Sequence, residues 1–146
     1  SISGKNFFLK SIGKKLKYIE SMMTEIRNKW WTFFQPNPKD KSNKKCDCHI
    51  RCIAGALNCD WLEAYDMMYE IGRRSADNIG DLLIEHGFTA CKVGRDKPTV
   101  NEFCNEHPTG TYVLRLSHHV VCVKNGQFFD TWDCGEKCVY RYWSKE

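Results

Sequence analysis

The dipeptide Asn125-Gly126 lies between two runs rich in β-branched and aromatic residues, 111–124 and 127–133. Asn-Gly is the strongest short signal for a two-residue hairpin, because both central residues must take positive φ. A turn there fixes the pairing on either side. Residue 124 faces 127, 121 faces 130 and 119 faces 132. Side chains alternate with period two, so positions 119, 121, 128, 130 and 132 share one face. This places His119 diagonal to Asp130 on one face. On the other face His118 stands opposite Asp133. Register alone leaves both pairs open, and a one-residue bulge would reshuffle them. Residues 111–124 read as a single strand, 127–133 as its return, and "CVYRYW" (138–143) as a third strand after a turn near Gly135.

Upstream the period changes to helical. Ile50, Ile53, Ala54 and Leu57 form the inner face of a helix over about 47–57, with Asp47 as its expected N-cap. A second helix starts at Asp60, with Glu63 completing a capping-box pattern, and carries the stripe Trp61, Ala64, Tyr65, Met68 and Ile71. A third spans about 76–86 and is closed by Gly87. Thr99 and Glu102 form another capping box that opens a short helix to about 106. Helices first and an antiparallel sheet second make an α+β layout. Trp61 and Trp132 are expected in the core, and His49, His86 and His107 at the surface.

Charge divides the chain. Residues 1–45 hold 11 Lys/Arg against 3 Asp/Glu, a net +8, and residues 46–146 hold 11 against 15, a net −4. The predicted organisation is a basic amphipathic helical arm at 1–34, a polar linker at 35–45 ("QPNPKDKSNKK") and a main domain at 46–146. Within the arm, Ile12, Leu16, Ile19, Met23, Ile26 and Trp30 form one apolar stripe, read as a helix over 5–31. Such a helix suits docking, self-association through residues 5–34, or masking a cleft as a pro-segment, better than a membrane surface. Met22-Met23 also reads as an internal start that would make 1–21 a leader. "WWTFF" (30–34) needs a place to bury. The acidic main domain argues against nucleic-acid binding.

The nine cysteines are too many and too odd in number for a complete disulfide set. With no secretory signal evident, a reducing, cytoplasmic setting is expected. The densest cluster is "KKCDCHIRC" (44–52). Cys46, Cys48, Cys52, Cys59, Cys134 and Cys138 lack any C-x-x-C spacing, so neither a metal nor another cofactor is expected. Helix phase separates the first three. Cys46 precedes the cap and Cys52 turns inward. Cys48 occupies the first turn, where unpaired N–H groups and the helix dipole favour a thiolate. Cysteine catalysis also needs a base and a group to orient it. Arg51 is expected to form an ion pair within the domain.

"DCHIRCIAGALNCDWLEAYDMM" resembles the nucleophile helix and following helix of small papain-like cysteine peptidases of bacteria and bacteriophages, relatives of the peptidases that process bacteriocin leaders. "PTVNEFCNEHPTGTYVLRLSHHVVCVKNGQFFDTWDCGEK" resembles their second half. The likeness spans about residues 43–140. It implies a papain-like fold and a peptidase or amidase acting on a peptide or isopeptide bond of a peptide or protein substrate, in the cytoplasm of a bacterium or an infected bacterial host. Carried over, it makes Cys48 the nucleophile, His119 the base and Asp130 the orienting group. His118 stands where a small residue is common, which keeps His118 with Asp133 as the alternative pair. The oxyanion side chain has no clear match, and Asn43 is the best candidate. An acyltransferase with the same triad is one alternative. The other is a catalytically silent module that binds through the arm and its aromatic cluster.

Overall fold

The computed structural model describes residues 12–17, 28–38, 47–71 and 78–145. Residues 12–17 are helical, and the remainder of the expected 5–31 helix up to residue 27 lies outside the described residues. Four further helices follow, numbered here α1 (Cys48–Leu57), α2 (Trp61–Glu70), α3 (Ile79–Glu85) and α4 (Val100–Glu106). The strands are β1 (Trp31–Phe33), β2 (Thr89–Lys92), β3 (Thr111–Leu116), β4 (His119–Lys124), β5 (Gln127–Asp130) and β6 (Arg141–Lys145). They form one six-stranded sheet in the order β1-β5-β4-β3-β6-β2. The chain is α+β. The sheet is mixed rather than antiparallel throughout, because β1 runs parallel to β5.

Two apolar clusters flank the sheet. One gathers Ile50, Ile53 and Ala54 of α1, Met68 of α2, Leu83 of α3, and Val113, Val120, Cys122 and Trp143 of the sheet. The other gathers Val100 and Phe103 of α4 with Leu114, Val121, Val123 and Phe128. Alternation along β4 accounts for both: Val120 and Cys122 face the first cluster, and Val121 and Val123 the second. No helix among the described residues is long and apolar enough to cross a membrane.

The Asn125-Gly126 turn forms, with φ of 49° and 75°, and Lys124 pairs with Gln127. The 111–124 run is not one strand. It breaks at Ser117-His118, where His118 takes φ 56°, and β3 and β4 pair antiparallel with Leu116 opposite His119. A non-glycine residue in the left-handed region costs about 1–2 kcal/mol, and here the pairing of β3 with β4 holds it there. This hairpin carries no Gly, Asn or Asp at its tip, so the usual turn signal is missing.

Two strands escaped the sequence reading. Trp31–Phe33, expected at the end of a helical arm, is instead the edge strand β1, with Phe33 opposite Asp130. Trp30 and Trp31 pack on the second apolar cluster and Phe34 on the first, while Phe33 is 66% exposed. β2 pairs with β6. Its residues, Thr-Ala-Cys-Lys, are short and mostly exposed, and give little periodic signal.

The capping box at α4 is complete: the Thr99 hydroxyl accepts from the Glu102 N–H at 3.1 Å, and the Glu102 carboxylate accepts from the Thr99 N–H at 3.4 Å. Thr99→Ala should lower stability by about 1 kcal/mol. Urea unfolding should show a lower midpoint with an unchanged slope; an unchanged midpoint contradicts this account.

Candidate active site

Asp130 ends β5 and is 1% exposed. Each of its carboxylate oxygens has two partners. Oδ1 accepts from Arg51 Nη1 at 3.2 Å and from the Thr131 N–H at 2.7 Å. Oδ2 lies 2.5 Å from His119 Nε2 and accepts from the Cys134 thiol at 3.5 Å. The pairing is the diagonal one that the 125–126 turn dictates. With Nε2–H donating to Asp130, the other ring nitrogen, Nδ1, is left as an acceptor. Trp132 stacks obliquely on His119 with ring centroids 5.0 Å apart. It was expected in the core, yet it is 41% exposed and covers the histidine.

Arg51 joins this pair to α1. Its Nη2 pairs with Asp47 one turn back, and its Nη1 reaches Asp130. Asp47 occupies the N-cap position of α1, but its side chain does not cap the helix. It accepts from Arg51, from Trp61 Nε1 at 3.0 Å and from Asn37 Nδ2 at 3.3 Å. The guanidinium outcompetes the helix N–H groups because a buried carboxylate needs a full counter-charge. Cys48 is the first residue of α1 and is buried. It lies one turn before Arg51, and residues three apart share a helix face. The residue that anchors Asp130 therefore stands beside the start of the helix that carries Cys48.

The alternative pair is not brought together. His118 lies in the β3–β4 turn rather than on a strand, and β5 stops at Asp130, so the strand arithmetic does not reach either residue. Asp133 instead accepts from Asn28 Nδ2 at 2.5 Å and from the Gly135 N–H at 2.9 Å. Asn43 and Cys46 lie outside the described residues. His49, expected at the surface, is buried on α1. Sequence reasoning also missed Cys134 as a donor to Asp130, and no local pattern signals it.

Burial holds Cys52, Cys104, Cys122 and Cys134 protonated. Burial pushes Cys52 well above its ordinary value, with Cys122, Cys48 and Asp130 acting the same way and Arg51 opposing. Burial raises Cys104 and Cys122 from 9.0 to about 12. Burial raises Cys134 further, reinforced by the charge of Asp130 and the hydrogen bond to it. His119, Asp130 and Cys134 each offer one ligand atom, all within 4.8 Å of one another. A cation there would displace the proton shared between His119 and Asp130 and stand close to Arg51, so this donor set is poorly suited to a metal. The chain matches no protein-family model, no curated protein and no solved structure.

Arg51→Met leaves two buried carboxylates without their cation and should cost about 3–5 kcal/mol in urea unfolding. A loss under 1 kcal/mol would show that water reaches Asp130. The raised thiols set a second expectation. Above pH 9 the unfolded chain loses thiol protons that the folded chain keeps, so stability falls as pH rises from 9 to 12. Denaturant titrations across that range should show a shallower fall in Cys104→Ala than in the parent chain.

Proposed function

We propose that the protein is a papain-like cysteine peptidase or amidase, with Cys48 as nucleophile, His119 as general base and Asp130 as the group that orients the base. The observation that carries this reading is the buried carboxylate of Asp130, bound on one oxygen by His119 Nε2 and on the other by Arg51 of the nucleophile helix. A carboxylate on one ring nitrogen fixes the tautomer and stabilises the imidazolium once the other nitrogen takes a proton. Trp132 over the ring limits water competing for that hydrogen bond.

In the proposed reaction the Cys48 thiol gives its proton to His119 Nδ1, and the sulfur attacks the carbonyl carbon of a peptide or isopeptide bond. The oxyanion accepts from the Cys48 backbone N–H at the start of α1. Asn43 is the side-chain candidate for a second donor. His119 returns the proton to the departing amine, leaving a thioester on Cys48. A water molecule gives a proton to His119 and attacks the thioester, which releases the acid and restores the thiol. An amine in place of water would make the same residues an acyltransferase.

Iodoacetamide labelling of the native chain at neutral pH, read by mass spectrometry, tests this assignment. Cys48 should label about 10–100 times faster than Cys52, Cys104, Cys122 and Cys134, and His119→Ala should slow it to their rate. A Cys48 rate equal to theirs, unaffected by His119→Ala, overturns the catalytic assignment.

A further inference from the structure

A groove of about 450 Å³ opens beside His119, at the end of the sheet where β3 turns into β4. Arg115, Ser117, His118, His119, Tyr140 and Arg141 contribute to its lining. No Asp or Glu lines it. The domain around it has a net charge of −4, with 15 acidic residues against 11 basic ones between 46 and 146. A groove lined by cations on an acidic domain is a local inversion of charge.

Strand register makes the inversion sharper. Arg115 on β3 stands directly opposite Arg141 on β6, and Arg141 stands opposite Lys92 on β2. Residues directly opposite share a sheet face, and like charges in that position repel. Three cations therefore cross three neighbouring strands in one row, which ends at the groove. A fourth cation, Lys97, lies over the ring of Tyr140 at 5.3 Å. His118, which lines the same groove, is held at φ 56°, a left-handed conformation that favours glycine. Strained residues of this kind cluster at ligand clamps, where surrounding structure holds them. A carboxylate bound in the groove would bring a counter-charge to Arg141, whose neighbours across both strands are cations.

We propose that this groove binds an acidic segment of the peptide substrate, with Arg141 and Arg115 contacting its carboxylates and His118 closing the end next to His119. The proposal rests on the peptidase reading, since it places the acidic segment on the His119 side of the bond that Cys48 attacks. Guanidinium groups bind carboxylates through paired hydrogen bonds, and two of them in one row select closely spaced acidic side chains over a single one.

The test measures binding without turnover, using the full chain with Cys48→Ala and fluorescence anisotropy. The probes are a fluorescein-labelled peptide with several glutamates in succession and its twin with glutamines. The glutamate peptide should bind about tenfold more tightly, and Arg141→Glu should abolish that preference. Lys137→Glu makes the same change in net charge at an exposed residue outside the groove lining and should keep the preference, while Arg141→Lys, which keeps the charge but loses the paired hydrogen bonds, should keep only part of it. Equal binding of the two peptides overturns the proposal. So does a preference lost equally in Lys137→Glu, and so does a short single-stranded oligonucleotide that binds more tightly than the glutamate peptide. The two readings fail separately. A glutamate preference in a chain with no fast-labelling cysteine removes the peptidase and keeps the groove; a fast Cys48 with no glutamate preference does the reverse.

Discussion

Burying an ionised carboxylate costs several kcal/mol, and Asp130 at 1% exposure carries that cost in full unless its oxygens are satisfied. Its four partners come from three parts of the chain: Arg51 from α1, His119 from β4, and Thr131 and Cys134 from the segment after β5. None of these parts can move far without leaving a buried charge unpaired. The requirement to satisfy one carboxylate thus fixes α1 against the sheet end and fixes the ring orientation of His119 together.

The same network explains why Asp47 does not cap its helix. A cap bond to neutral N–H groups contributes about 1 kcal/mol, whereas an unpaired buried guanidinium costs more. Asp47 and Asp130 share Arg51, and Trp61 ties the first of these acids to α2. The amino end of α1 therefore has no side-chain cap from Asp47.

The His119–Asp130 geometry was legible in the sequence because it follows from local rules. Asn125-Gly126 sets the register, and period-two alternation carries it five residues back to His119 and three forward to Asp130. The Thr99–Glu102 box was legible for the same reason. What failed was non-local or unsignalled. The Ser117-His118 turn lacks Gly or Asn, so a run of Leu, Val and Tyr read as one strand. Trp31–Phe33 continued an apolar helical stripe in sequence, and only its parallel pairing with β5 makes it a strand. Arg51 was expected to find an acid, but which acid depends on a partner 79 residues away. Trp132 has the composition of a core residue, and its place over His119 follows from where β5 stops.

β1 has a consequence for the order in which the molecule is completed. The Trp31 indole N–H donates to the Asp130 carbonyl at 3.1 Å, across 99 residues of chain, and the Phe34 N–H donates to the same carbonyl at 3.0 Å. A ribosome delivers β1 long before it delivers β5. Closing so long a loop costs entropy before any contact rewards it, so this seam forms late. Until it does, the backbone of the residue that orients His119 is unbraced on one side. The nascent chain thus acquires its braced His119–Asp130 pair only after nearly the whole domain has emerged.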